Sequence, residues 1–205
     1  MRVAGIVLAA GASTRMGRPK ALLPAGAGTL LAACVAPHLE AGLDPVVVVL
    51  GSHAAEIQRD AGLPADRRLR VVVNPSWPEG MASSLRAGLS ACREAGVEAA
   101  LVALGDQPSV TRARIEALVA AWIPGAALAV PVHEGRVGHP VLFARGLWPE
   151  LEALEGDIGG REVVRRHWDR AIQVPAPPLL DLDTPADYQA FRNGVPPPPD
   201  EGLLP

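Results

Sequence analysis

The sequence predicts an α/β domain in three layers, α/β/α, around a mostly parallel sheet. Three observations carry this. Residues 45–50 form a continuous apolar run with four successive β-branched valines, as parallel strands buried on both faces require. Strand-like and helix-like patterns alternate over residues 3–132. Repeated β-α-β implies right-handed crossovers with helices on both sheet faces. A loop of small residues follows the first strand, and open α/β sheets bind ligands beyond the carboxyl ends of their strands.

The elements follow in order. Met1-Arg2 and the apolar run behind it have the parts of a signal peptide. The run is short and β-branched at its start, so residues 3–8 read as a buried strand closed by a glycine turn. Residues 29–41 read as a helix, 45–50 as the second strand and 52–61 as a helix with Ser52 as N-cap. A third strand spans 69–74. The Arg67, Arg68 and Arg70 cluster before and within it is flanked by Asp60 and Asp66 and reads as a solvated loop. Residues 81–95 form a helix with Leu85, Leu89 and Cys92 at helical spacing. A strand over 98–104, a helix over 111–122 capped by Thr111 and a strand over 126–132 come next. The second half is less regular: a strand at 140–143, helices at 145–154 and 160–167, a short strand at 171–174 and a proline connector at 175–178. A last helix runs to Phe191, with Thr184 as N-cap and Pro185 at its first position. The proline-rich residues 195–205 predict a disordered tail, which leaves a domain over 1–194.

Composition narrows the function. A length of 205 residues fits one domain. With 49% hydrophobic and 20% charged residues, wholesale disorder is excluded. No run reaches the ~18 apolar residues of a membrane span. A net charge of −3 lacks the basic excess of a nucleic-acid binder. Cys34 and Cys92 show no zinc spacing and sit in apolar helical patterns, as expected for buried, reduced thiols in the cytoplasm. Of the 19 basic residues only one, Lys20, is a lysine.

That lysine closes the segment Leu8-Ala-Ala-Gly-Ala-Ser-Thr-Arg-Met-Gly-Arg-Pro-Lys20. Small residues let backbone approach a ligand, unpaired N–H groups form an anion nest, and Arg15, Arg18 and Lys20 add positive charge. The combination suits a triphosphate. It is neither a Walker A nor a dinucleotide fingerprint, because the glycine spacings differ from both. After the fourth strand comes Gly105-Asp-Gln-Pro108, where Asp106 reads either as a Mg²⁺ ligand or as a turn cap. Asp181 and Asp183 supply a second acidic site. Two separated acidic sites and a cationic loop fit metal-assisted phosphoryl or nucleotidyl transfer. His139, held between Gly138 and Pro140, reads equally as a substrate contact or a structural histidine. His38, His53, His133 and His167 read as surface or packing residues, and the four tryptophans as core, with Trp77 the one near the predicted site.

These segments resemble the signature of the MobA-like nucleotidyltransferases and, within them, the molybdenum cofactor cytidylyltransferases of the MocA family. The resemblance covers nearly all of the chain before the tail. It rests on residues 8–20, on Asn74-Pro-Ser-Trp-Pro-Glu-Gly-Met-Ala-Ser-Ser-Leu-Arg-Ala-Gly-Leu89, and on residues 105–108. Gly138-His-Pro140, Gly156-Asp-Ile-Gly-Gly-Arg161 and Asp181-Leu-Asp-Thr-Pro-Ala-Asp187 complete it. It implies a mononucleotide-binding, Rossmann-like fold of GT-A type. The implied reaction joins CMP from CTP to the phosphate of molybdopterin-bound molybdenum and releases pyrophosphate.

The family pattern implies a nucleotide site of Leu8, Ala9, Ala10, Gly11, Ser13, Arg15, Gly17, Lys20, Gly80, Ser84 and Asp106. Lys20, Arg15 and Asp106 would be catalytic. Asp106 with Asp183 would hold Mg²⁺, with Asp181 as the rival second ligand. His139 and Arg161 would face the acceptor, Arg161 being preferred over Arg145. Family members selecting guanine read Leu-Ala-Gly-Gly where this chain reads Leu-Ala-Ala-Gly, which favours cytosine. A molybdoenzyme or a cofactor-insertion chaperone is the implied protein partner. Two alternatives stay open: a CTP- or GTP-dependent transferase with another phosphorylated acceptor, and a non-catalytic nucleotide- or cofactor-binding chaperone on the same fold.

Overall fold

Val46–Leu50 is buried along its whole length, as its run of branched side chains requires of a strand covered on both faces. The computed structural model describes residues 2–123 and 125–195. The expected disordered tail lies, from residue 196 on, outside the described residues.

The chain runs through β1 (Val3–Ala9), a small hairpin of β2 (Pro24–Ala25) and β3 (Gly28–Thr29), α1 (Leu30–Glu40) and β4 (Val46–Leu50). It continues through α2 (Ala54–Asp60), β5 (Leu69–Val73), α3 (Met81–Cys92), β6 (Ala99–Leu104) and α4 (Arg112–Ala121). Then come β7 (Leu128–His133), β8 (Arg136–Val137), β9 (Val141–Ala144), α5 (Trp148–Glu152), α6 (Arg161–Arg166), β10 (Ala171–Pro175) and α7 (Pro185–Arg192).

The main sheet has the order β5-β4-β1-β6-β9-β7-β10, with β8 paired to β7. The strands β5, β4, β1 and β6 are mutually parallel, β9 runs antiparallel to both β6 and β7, and β10 is parallel to β7. One face carries α1, α2, α4 and α7 through Leu31, Ile57, Ile115 and Tyr188; the other carries α3, α5 and α6 through Leu89, Trp148 and Val163. The fold class is therefore the expected three-layer, mostly parallel α/β domain.

Thr111 and Thr184 cap as their positions predict, and Thr29, expected as the first helical residue, is the N-cap of α1 instead. Thr29, Thr111 and Thr184 accept bonds from Ala32, Arg114 and Asp187 N–H, and Thr184 with Asp187 forms a full capping box. Ser52 does not cap α2. His53 precedes the helix in a left-handed conformation (φ 56°), and the Ser52 N–H is drawn to Ala10 O at 3.1 Å, so the chain is still turning where the cap was expected. The helix expected over 81–95 becomes a 3₁₀ turn after Cys92, and the one expected over 145–154 begins as a 3₁₀ turn. The β2–β3 hairpin was not expected, because two-residue strands carry no periodicity. Tyr188 Oη donates to Pro24 O at 2.8 Å and ties α7 to that hairpin.

Cys34 and Cys92 are free and buried, and desolvation pushes both thiols up to about 12. Among the described residues no helix is long and apolar enough to cross a membrane.

Candidate active site

The strands β1 and β6 lie side by side with Leu8 opposite Leu104, so their carboxyl ends deliver two loops to one edge of the sheet. Gly105 N–H donates to Leu8 O at 2.8 Å. A Cβ on Gly105 would sit 2.8 Å from that of Ala9, so this close approach needs a glycine. Strand order diverges from β1 toward β4 on one side and β6 on the other, which makes the edge a topological switch point.

The loop after β1 doubles back. Ser13 is left-handed (φ 54°), Gly17 likewise (φ 66°), and Ser13 Oγ accepts the Lys20 backbone N–H at 3.0 Å. This closure returns Lys20 to the strand ends. There its Nζ donates to Asp106 Oδ2 at 2.8 Å and to Asp183 Oδ1 at 3.0 Å. Arg15 lies 3.7 Å from the other oxygen of Asp183. Burial alone would pull the Lys20 ammonium down, but Asp106 and then Asp183 outweigh it and hold the group above its ordinary range. Asp106 spends one oxygen on Lys20 and keeps Oδ1 buried with no hydrogen-bond partner.

Asp183 is delivered by long-range backbone pairing: Leu182 N–H donates to Asp106 O at 3.1 Å, and the capping box of α7 follows at once. Asp181 is engaged differently, accepting from Gln107 Nε2 at 2.6 Å. Of the two rivals, Asp183 is the one that meets Asp106 across Lys20.

The opposite wall is the segment between β5 and α3. Buried Asn74 organises it: Nδ2 donates to Ser83 Oγ (2.8 Å) and Ser84 Oγ (3.1 Å), and Oδ1 accepts from Ser76 N–H (3.0 Å). Gly80 (φ 106°) packs on Gly156, where a Cβ would come within 2.3 Å of a backbone carbon. The 156–157 turn also caps α3, since Gly156 O accepts from Ala82 N–H (3.1 Å) and Asp157 Oδ1 from Met81 N–H (3.3 Å).

These walls enclose a cavity of about 620 Å³, within the range of small-molecule sites. Leu8, Ala9, Ala10, Gly11, Ser13, Arg15, Lys20, Gly80, Ser84, Asp106 and Asp183 all line it. Gly17 shapes the loop without lining the cavity, and Asp181, His139 and Arg161 are also outside the lining. Arg161 is the exposed first residue of α6, and His139 is half-buried between β8 and β9. Arg145 donates to Val97 O and Arg93 O and stacks over Trp148, a structural use. Trp77 is at the cavity, as its sequence position suggested. Asp157 was not singled out, although it stands in the quoted 156–161 segment; its contact with Met81 spans 76 residues and leaves no local signal.

Among the described residues no three or more His, Cys, Asp or Glu side chains are grouped to hold a metal unaided. Asp106 and Asp183 suit Mg²⁺ in another way. That ion is commonly held by one or two carboxylates together with substrate phosphates, and the orphaned Asp106 Oδ1 is an acceptor that a cation would satisfy.

A small-residue loop at the switch point of such a sheet, facing a lysine-bridged carboxylate pair, defines a nucleotidyltransferase domain. The chain matches the MobA-like NTP transferase domain over residues 5–171 and belongs to that family. It is 37% identical over 172 residues to a protein named nicotine blue oxidoreductase from Paenarthrobacter nicotinovorans, covering 80% of this chain and 82% of that one. It is 26% identical over 185 residues to the molybdenum cofactor cytidylyltransferase of Escherichia coli, covering 89% and 92%. A crystal structure of Rv0371c from Mycobacterium tuberculosis in complex with manganese superposes with a TM-score of 0.75 at 30% identity, covering 95% of this chain and all of that one.

Proposed function

We propose that this chain transfers CMP from CTP to the terminal phosphate of molybdopterin-bound molybdenum and releases pyrophosphate. The observation that carries the proposal is the Lys20 ammonium set between Asp106 and Asp183 at the mouth of the 8–15 loop. An oxygen of the acceptor phosphate would attack the α-phosphorus in line, and the bond to the β-phosphate oxygen would break with its electrons leaving on pyrophosphate. Negative charge therefore grows on the leaving group, and cations fixed beside it stabilise the transition state more than the ground state. Arg15 can grip two phosphate oxygens at once; Lys20 is a compact charge that can follow a moving phosphoryl group. Asp106 and Asp183 would hold Mg²⁺, which neutralises phosphate charge when bound. Ala10 in the Leu-Ala-Ala-Gly segment supports cytosine over guanine.

The test is pyrophosphate release from CTP, GTP and ATP, with and without the molybdopterin acceptor and Mg²⁺. The expected result is turnover that needs CTP, acceptor and metal together. Undiminished turnover in Asp106→Ala overturns the mechanism, and a different acceptor or nucleotide redirects the substrate assignment. A second reading, oxidoreductase, is favoured by the name of the 37% identical relative. Reduction of nicotine blue by an added two-electron donor, without CMP transfer, would select it.

A further inference from the structure

The loop cations and the carboxylates face each other in a way that bears on the order in which the site fills. Lys20 Nζ is within 3.0 Å of both Asp106 and Asp183, and Arg15 is 3.7 Å from Asp183. Two cations thus sit against two anions, with the Lys20 and Asp106 side chains only 18% and 25% exposed. A divalent cation held by both carboxylates would have to share the space between Asp106 and Asp183 with the ammonium, which lies against Asp106 Oδ2 and Asp183 Oδ1 and leaves only Asp106 Oδ1 without a partner.

Resting on the nucleotidyl-transfer reading, we infer that Lys20 is a built-in competitor of the metal, one that keeps a divalent cation off Asp106 and Asp183 until a triphosphate draws the ammonium away. A triphosphate offers Lys20 and Arg15 a denser anion than either carboxylate. Once they turn to it, Asp106 and Asp183 are released together. Ser13 fixes the Lys20 backbone, so the exchange needs only the flexible four-carbon side chain to swing. Nucleotide and metal then bind with positive coupling, and by linkage each strengthens the other by the same factor. The free protein does not assemble a charged metal centre without substrate.

The test is Mn²⁺ binding to the nucleotide-free protein, read from the loss of the free-ion electron paramagnetic resonance signal. Wild type, Lys20→Met and Lys20→Gln are compared, with Lys20→Met/Asp106→Asn as the control for location. CMP transfer by the wild type is assayed in parallel, and thermal melts establish that each variant is folded. Lys20→Met and Lys20→Gln should bind Mn²⁺ at least about tenfold more tightly than wild type. The double variant should lose that gain. Equal or weaker binding in both single variants, or a gain that survives Asp106→Asn, overturns the inference even if the wild type transfers CMP. Absent CMP transfer alongside the expected Mn²⁺ gain instead sinks the functional reading and leaves the competition standing.

Discussion

Lys20 and Asp106 stand 86 residues apart in the chain and 2.8 Å apart in the fold. The pair depends on three local devices: the Ser13 hydroxyl that closes the loop, the missing Cβ at Gly105, and the parallel register of β1 and β6. Asp106→Asn keeps the shape and an oxygen that Lys20 can still reach, but removes the charge proposed to hold Mg²⁺. CMP transfer should fall at least about a hundredfold while the thermal midpoint stays close to wild type, as measured by pyrophosphate release and a melting curve.

Lys20→Arg separates chemistry from composition. A chain that uses arginine at every other basic position shows no general aversion to it. A planar guanidinium cannot reproduce a compact charge placed 2.8 and 3.0 Å from two different carboxylates. Activity should drop about tenfold or more. Near-normal turnover would mean that the single lysine reflects composition alone.

Gly80→Ala tests the wall formed by β5–α3 and the 156–157 turn. The added Cβ would lie 2.3 Å from the Gly156 carbonyl carbon, and the residue would keep a φ of 106°, which side chains rarely adopt. Stability should fall by about 1–3 kcal/mol in urea titrations. The loss should come with a higher KM for CTP, because Gly80 and Asp157 both line the cavity.

Much of this arrangement is legible in the residues themselves. The buried run of β4, the caps at Thr111 and Thr184 and the small-residue loop each act through neighbouring chain, and each is where its pattern puts it. The direction of β9 was hidden, because Val141–Ala144 is buried like the parallel strands and composition carries no polarity. Its antiparallel course follows from the short path from β7 through β8, too brief for a crossover. The choice between Asp181 and Asp183 was hidden for a related reason. Their different surroundings arise from Gln107, 74 residues away, whose place in the 105–108 motif gives no hint that it donates to Asp181. Asp157 reaches the cavity by the same kind of distant contact.

The last prediction concerns pH and lies outside the cavity. His38 is buried in α1, with Nδ1 3.0 Å from Cys34 O and Nε2 without a hydrogen-bond partner. The geometry fits a neutral ring that donates through Nδ1. Burial pushes its pKa down from 6.5 to about 4, partly offset by the Cys34 carbonyl. A depressed histidine pKa means that the unfolded chain binds the proton first. Stability contributed by the neutral ring is therefore whole above about pH 6.5 and drains away as pH falls toward about 4, a loss of about 3 kcal/mol. His38→Leu removes the titration and should flatten this part of the profile. Urea unfolding at several pH values across that window measures it, and parallel slopes for wild type and variant would show that another group takes up the proton.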